Sequence, residues 1–188
     1  MPRRALRLFC LTLAFAATSP WAAEAASPLF PLAEDSLLAA AQTARVEKKM
    51  LVALLELEDC DNCRSLRARV LETPEARRDF GRDFHTVALR LDSDAALTLP
   101  DGERVSRRQW ANRLDVFGAP AFIFFDSGGK TRYRHLGGIA DVAELLALGR
   151  YISTAAYEEA PWGAWRAQQI AEESARKAAT PPGHSGSH

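Results

Sequence analysis

Eight nearly continuous apolar residues, from Met50 to Leu57, lead into an acidic turn and then into two cysteines separated by two residues. Only Glu56 interrupts the apolar run, which has the pattern of a central strand covered on both faces. From Cys60 onward the apolar residues recur at helical spacing, with Cys63 on the apolar side. The sequence therefore predicts a buried strand followed by a helix that the cysteine pair opens. On the opposite, polar side of this helix we place Arg64, Arg67 and Arg69.

The remaining elements follow from hydrophobic spacing and from turn and capping residues. We predict further helices over residues 35–48, 74–80, 106–114 and 142–156. We predict further strands over residues 86–91, 121–125 and 131–136, the last two joined by hairpin residues. The first two strands of the sheet need crossover connections, whereas the last two form a hairpin. The fold class is therefore an α/β sandwich, with a central mixed sheet flanked by helices.

The first 25 residues have the composition of a secretory signal. Three arginines precede a short apolar run, and Ala23-Glu24-Ala25 supplies the small residues of a cleavage site. The apolar run is shorter than the roughly 20 residues that span a bilayer, so we expect cleavage after about Ala25 and no membrane anchor. We divide the chain into a signal peptide at 1–25, one domain at 26–160, and a helical extension with a disordered tail at 161–188.

The charge balance gives no support for nucleic acid or an anionic membrane as a partner. Lys plus Arg number 24 and Asp plus Glu number 24, so the formal net charge is zero. No global field then attracts a polyanion. Together with the signal sequence, this predicts a periplasmic protein without stable membrane insertion, which we expect to be a monomer.

Cleavage of the signal would remove Cys10 and leave Cys60 and Cys63 as the cysteines of the mature protein. A disulfide across two intervening residues closes a loop too short to stabilise a fold much, so chemistry explains the pair better. At the first turn of a helix, the leading sulfur faces free N–H groups that stabilise a thiolate. A thiolate attacks a partner disulfide, and a second thiol resolves the mixed disulfide. We assign Cys60 as the nucleophile and Cys63 as the resolving thiol.

Other interpretations of the cysteine pair compete with this one. Half of a zinc site would need further ligands, yet His85 and His135 are isolated and His184 and His188 lie in the tail. A c-type haem site would need a histidine directly after the pair, where Arg64 stands. A purely structural disulfide is the third alternative. We predict no metal and no cofactor.

Three groups of residues carry a resemblance to a known family. They are Leu55-Glu56 ahead of the cysteines, Gly118-Ala119-Pro120 with the apolar strand after it, and Gly129-Lys130 followed by Gly137. With these residues the chain, from about Leu37 to Trp165, resembles thioredoxin-fold proteins of the periplasmic SoxW-like branch. The resemblance implies a thioredoxin-like sandwich and a redox-active dithiol.

The resemblance also changes the interpretation of Pro120. On local grounds it is only a proline at the first residue of a strand. In the family the matching proline is cis and packs beside the dithiol, and the residue before it offers backbone hydrogen bonds to the partner's extended chain. Ala119 and Pro120 are therefore expected to bind substrate.

The chain departs from thioredoxin proper near the cysteines. Leu54 stands where thioredoxin has a buried acid that assists proton transfer, and Asp59 stands where it has tryptophan. Glu56 either substitutes for that acid in proton transfer or is an edge-facing, solvated carboxylate. Both interpretations remain open from the sequence.

An acidic group surrounds the leading cysteine and bears on the direction of electron flow. Glu58, Asp59 and Asp61 place negative charge near Cys60, which disfavours its thiolate and makes the pair more reducing. The resulting hypothesis is a periplasmic disulfide reductase that acts on an exported client protein. The resemblance implies a membrane electron donor of the DsbD or CcdA kind, and a sulfur-oxidation carrier or an apocytochrome c as client. The alternatives are a disulfide oxidase or isomerase, and a non-catalytic binding module.

Overall fold

Strand β1 (Met50–Glu56) is an inner strand of a four-stranded sheet in the computed structural model, which describes residues 27–33 and 35–179. It pairs in parallel with β2 (Phe84–Arg90) and antiparallel with β5 (Ala121–Phe125), which pairs antiparallel with β6 (Thr131–Leu136). All of β1 except Met50 is buried. The mixed sheet predicted from the sequence is therefore confirmed.

Helices cover both faces of this sheet. The α-helices are α1 (Leu37–Glu47), α2 (Asp61–Leu66), α3 (Gly81–Asp83), α4 (Arg107–Arg113), α5 (Val142–Ser153) and α6 (Trp162–Ala179). Helix α2 continues as a π-helical turn, a second π-helical turn leads into α3, and a 3-10 turn follows α5; these are Arg67–Leu71, Ala76–Phe80 and Ala156–Glu158.

Alternation along β5 explains the two layers of the core. Phe122 and Phe124 join the cluster beneath α2 and α5, whereas Ile123 and Phe125 join the cluster beneath α1 and α4. Successive side chains of a strand point to opposite faces, so a strand that is apolar at every position must be covered on both sides. This is the arrangement that positions α2 against one face of β1.

A small second sheet lies between the second and third predicted strands, where no strand was predicted. Strands β3 (Ala96–Thr98) and β4 (Arg104–Ser106) pair antiparallel around residues 99–103, which include Pro100-Asp101-Gly102. Each strand has three residues and buries only one side chain, Leu97 and Val105 respectively. Strands this short have too few alternations to be recognised from the sequence.

The segment before α1, where no strand was predicted, pairs with the outer edge of β2. The amide of Ala33 donates to the carbonyl of Ala88 at 2.8 Å, and the amide of Ala88 donates to the carbonyl of Pro31 at 2.7 Å. This segment therefore covers part of an edge that would otherwise expose unpaired backbone groups.

Helix α6 occupies the predicted C-terminal extension. Trp162 and Trp165 lie 5.3 and 5.2 Å from Tyr151 of α5, measured between ring centroids. Beyond Gln169 the helix is exposed to solvent. Among the described residues, none of the helices combines the length and apolar character needed to cross a bilayer. The predicted signal peptide at 1–25 and the predicted tail at 180–188 lie outside the described residues.

Candidate functional site

Cys60 and Cys63 are joined by a disulfide at the start of α2, with their Cα atoms 5.2 Å apart. Cys60 is the N-cap residue, in an extended backbone conformation, and its Sγ accepts the amide N–H of Cys63 at 3.1 Å. Cys60 is 8% exposed and Cys63 is 4% exposed. The prediction that the pair opens a helix is therefore right, and the leading sulfur faces a free N–H group of its first turn.

Ala119 and Pro120 lie beside this disulfide. The peptide bond between them is cis, and the carbonyl oxygen of Ala119 is 3.9 Å from the Sγ of Cys60. A disulfide sulfur has no hydrogen to donate, so this is a van der Waals contact. The carbonyl of Pro120 accepts the amide of Gly137 at 3.0 Å, whereas neither backbone group of Ala119 has a backbone partner within residues 27–33 and 35–179. The structure thus brings together the two parts of the site predicted from the sequence.

Charged residues line a cavity of about 120 Å³ next to the disulfide. Its lining comes from the end of β1, the following turn, α2 and the end of β2: Glu56, Leu57, Glu58, Cys60, Cys63, Arg64, Arg67 and Arg90. The cavity therefore combines both sulfurs with two carboxylates and three guanidinium groups. This is an electrostatic setting that can act on a thiolate.

Glu56 is buried, with 5% of its surface exposed, and its carboxylate is paired. Its two oxygens accept hydrogen bonds from Nε and Nη2 of Arg67 at 2.8 and 2.6 Å. The interpretation of Glu56 as an edge-facing, solvated carboxylate is therefore wrong. It follows Val52 and Leu54 on the face of β1 that α2 covers, so its carboxylate is buried. A buried carboxylate needs a charged or hydrogen-bonding partner, and Arg67 supplies it.

Arg67 does not lie on the polar side of its helix as predicted. It is half-buried, and besides Glu56 it donates from Nη1 to the carbonyl of Phe30 at 3.1 Å. Arg67 follows Cys63 by four residues, about one helical turn, so the two side chains lie on the same side of the helix. The spacing of four residues from Cys63 was the available sequence signal for its place near the site.

Basic partners offset much of the acidic group predicted to surround Cys60. Asp61 pairs with Arg64, and Glu58 lies 3.6 Å from Arg90. Asp59 is exposed. The negative charge inferred from the sequence is therefore compensated at two of its three positions.

Phe117 is a surface residue near the site that the sequence analysis missed. It is 82% exposed and lines a second, shallow cavity with Leu57 and Gly118. Its position directly before Gly118-Ala119-Pro120 was a signal, but a single phenylalanine carries no pattern that separates an exposed ring from a core ring. Leu57 is also exposed, so an apolar rim borders the disulfide on this side.

Over the described part of the chain, no group of three or more His, Cys, Asp or Glu residues could hold a metal ion. The arrangement places a sulfur–sulfur bond that can open and close beside the backbone groups of Ala119, which have no backbone partner within residues 27–33 and 35–179.

A family model for the thioredoxin-like domain matches residues 37–153. The chain belongs to the thioredoxin-like family. The match includes Cys60, Cys63 and the cis peptide before Pro120, so the residues that form the site all lie within the family domain. No curated protein sequence matches this thioredoxin-like chain significantly.

Solved structures agree with this thioredoxin-like assignment at the level of the fold. A thioredoxin from Thermus thermophilus is 24% identical, with 66% of this chain and 88% of that chain covered and a TM-score of 0.50. A candidate disulphide-isomerase from Bacteroides thetaiotaomicron is 23% identical, with 66% and 93% covered and a TM-score of 0.51. The oxidised C-terminal domain of DsbD from Neisseria meningitidis is 16% identical, with 58% and 86% covered and a TM-score of 0.45. At such identities the first two matches establish the thioredoxin-like fold alone.

Proposed function

We propose that this thioredoxin-like protein is a periplasmic thiol-disulfide oxidoreductase that reduces a disulfide of an exported client protein. The observation that carries the proposal is the contact between the Cys60 sulfur and the carbonyl oxygen of Ala119, 3.9 Å apart. It places a disulfide-forming sulfur against a backbone position whose N–H and C=O groups have no backbone partner in the described chain. An extended client segment that pairs with Ala119 would bring its own disulfide to Cys60.

The reaction begins from the reduced pair. The Cys60 thiolate attacks one sulfur of the client disulfide, forming a mixed disulfide and releasing a client thiolate that takes up a proton. The Cys63 thiol then loses its proton and attacks the Cys60 sulfur, which forms the Cys60–Cys63 disulfide and releases the second client thiolate. Two electrons pass from the pair to the client, and a dithiol donor must then return two electrons to the protein.

The surface around Cys60 suits a protein client. The exposed Leu57 lines the cavity that holds both sulfurs, and the exposed Phe117 lies two residues before Ala119, so both offer apolar contact area near the site. Ala119 offers directional backbone hydrogen bonds. Main-chain pairing gives affinity with little dependence on client sequence, and the apolar rim adds preference for a hydrophobic neighbour of the client cysteine.

The cellular setting of the proposal rests on the sequence. The signal-like first 25 residues support the periplasm, and the motif groups around Cys60 and Pro120 support the SoxW-like branch. On that basis the dithiol donor is a membrane electron carrier of the DsbD or CcdA kind. The client is a sulfur-oxidation carrier protein or an apocytochrome c.

A disulfide oxidase is a second candidate, because three arginines line the cavity that holds both sulfurs. Positive charge stabilises a thiolate and thereby the reduced form, which makes the disulfide a stronger oxidant. The exposed Asp59 and Asp61 favour the opposite direction. Equilibration of the protein with glutathione distinguishes the oxidase from the reductase. A glutathione mixture that reduces the disulfide of a strong oxidant leaves the disulfide of a reductase oxidised.

Reduction of insulin by dithiothreitol, catalysed by the purified full chain, tests the proposed activity. Wild type should accelerate the reaction, Cys60→Ser should not, and Cys10→Ser should match wild type because Cys10 lies outside the family domain. A wild-type chain that gives no acceleration would instead support the binding module, in which the cysteines are incidental.

A further inference from the structure

The ion pair between Glu56 and Arg67 differs from the other ion pairs around the dithiol in its burial and in its geometry. Both carboxylate oxygens are engaged, at 2.8 and 2.6 Å, and the Glu56 side chain is 7% exposed. The pairs Asp61 with Arg64 and Glu58 with Arg90 are exposed, at least on their acidic side. Exposed charges are screened by water and salt, whereas buried charges act on their neighbours at a lower effective dielectric.

We propose that Glu56 and Arg67 are positioning residues whose opposite charges balance the electrostatic potential at the Cys60–Cys63 dithiol. Each residue is tied to the site by the chain itself. Glu56 ends β1 four residues before Cys60, and Arg67 follows Cys63 by four residues, which places Arg67 about one helical turn after Cys63. All four residues line the one cavity of about 120 Å³.

The guanidinium of Arg67 is held from several directions. It donates to Glu56 from Nε and Nη2 and to the carbonyl of Phe30 from Nη1, and Nη1 also lies 3.8 Å from Glu72. The three partners come from β1, the N-terminal segment and the end of the helical region after Cys63. A charge held by this many bonds cannot swing towards or away from the sulfurs, so its effect on a thiolate is fixed in advance.

The balance predicts effects of opposite sign for the two halves of the pair. Glu56→Gln removes the carboxylate that pairs with Nε and Nη2 of Arg67 and leaves the more distant Glu72, 3.8 Å from Nη1, as its acidic partner, so the charge near the dithiol becomes more positive and favours the thiolate. Arg67→Met leaves the Glu56 carboxylate without its donor, which disfavours the thiolate. A pair that only supports the fold predicts lower stability in both variants and no change in thiolate formation.

The remaining charges at the cavity are Glu58, Arg64 and Arg90, together with Asp61 at the first residue of α2. Asp61→Asn provides the matched control, because it removes a carboxylate near Cys60 that is exposed and paired with Arg64. Solvent screening makes its expected effect smaller than that of Glu56→Gln.

The test is the pH dependence of iodoacetamide alkylation of the reduced full chain, with peptide mass spectrometry to separate Cys60 and Cys63 from Cys10. The midpoint for Cys60 should fall by about one pH unit in Glu56→Gln and rise in Arg67→Met. The double variant should return towards wild type. The glutathione equilibrium constant should shift by about tenfold between the two single variants, with Glu56→Gln the more oxidising.

Midpoints that stay at the wild-type value in both single variants, or that move in the same direction, would overturn the proposal. Where a variant unfolds, the double variant and Arg67→Lys, which keeps the charge but not the two parallel bonds, supply the comparison. The inference rests on the proposed exchange reaction only through its two sulfurs. Alkylation does not require turnover, so an intact pH shift in a chain inactive on insulin would refute the proposed function and leave the role of the pair standing.

Discussion

The imidazole of His135, on β6, packs edge-on against the indole of Trp162, the first residue of α6, with ring centroids 5.9 Å apart. His135 is buried, and on its other side it lies 6.2 Å from Phe122 of the core. The contact joins the sheet edge near the cis-proline loop to the C-terminal helix. A titratable group thus lies at the junction of two elements.

Stability should depend on pH through His135. Burial lowers the pKa of His135 below the usual 6.5, with smaller opposing effects from the Gly138 backbone and Glu144. The folded protein therefore binds this proton less readily than the unfolded chain. The stability it contributes is present above pH 6.5 and is lost as the pH falls through the folded-state pKa. The free energy of unfolding of wild type, measured with urea, should fall as the pH is lowered from 7. In His135→Phe this fall should be smaller.

The comparison for this prediction is His85→Gln. His85 lies on β2 and contacts Glu47 at 3.0 Å, away from Trp162. This variant should keep the acid-dependent loss. A His135→Phe chain that loses as much stability on acidification as wild type would contradict the assignment.

Gly129→Ala should be strongly destabilising. Gly129 has φ +84°, and an added Cβ would lie 2.5 Å from Cβ of Pro100. Alanine at this position would be strained by the left-handed backbone conformation, and its methyl group would clash with the proline ring, which cannot move without its backbone. We expect a loss of about 3 kcal/mol in the free energy of unfolding. Gly102→Ala has a similar φ of +90° but meets nothing within 4 Å, so it should lose only about 1 kcal/mol. Urea denaturation of both variants measures the difference, and equal losses would show that Pro100 yields to the new methyl group.

Trp162→Ala should detach the start of α6 from the domain. The indole contacts Tyr151 and Trp165 within one aromatic cluster, so its removal should lower the free energy of unfolding by about 2 kcal/mol. Ile170→Ala, on the exposed half of the same helix, should change it by less than about 0.5 kcal/mol. Circular dichroism during urea unfolding tests both, and a Trp162→Ala chain as stable as Ile170→Ala would mean that α6 does not contribute to the core.

Phe117→Ala should slow the reduction of a protein disulfide without affecting stability. The ring is 82% exposed, so its loss leaves the core intact, but it removes apolar contact area two residues before Ala119. We expect kcat/KM for insulin to fall about fivefold, with no change for a small aromatic disulfide that needs no docking surface. Val46→Ala, which removes an 84% exposed side chain on α1, is the matched control. Equal losses on both substrates would place Phe117 in the chemistry rather than in docking.

The sequence predicted the parts of this molecule that carry long, repeated patterns. The apolar run of β1 and the helical spacing after Cys60 located the disulfide at a strand–helix junction, and the turn residues between β5 and β6 located the hairpin. The short strands β3 and β4 were missed because Leu97 and Val105 are isolated buried positions. Pairing of Ala33 with Ala88 was missed because a single stretch of backbone hydrogen bonds leaves no mark on side-chain composition.

The site was predicted where residues adjacent in sequence define it and missed where the fold brings residues together. Cys60, Cys63 and Pro120 belong to compact motifs. The partner of Glu56 is Arg67, eleven positions away, and its choice depends on how α2 packs on β1. Among Arg64, Arg67 and Arg69, the spacing of four residues from Cys63 indicates that Arg67 faces inward, but it does not identify Glu56 as its partner. Tertiary packing, rather than propensity, decides such cases.

The backbone bonds between residues 31–33 and Ala88 cover part of the β2 edge of the sheet, and β6 forms the opposite edge. Strand β6 carries the exposed Arg132 and Arg134 on either side of Tyr133, and they pair with Asp126 and Asp115 respectively. Charged side chains along an edge strand disfavour pairing with the edge of a second copy. One edge of the sheet is therefore partly covered and the other is charged, and both features disfavour growth of the ladder between copies.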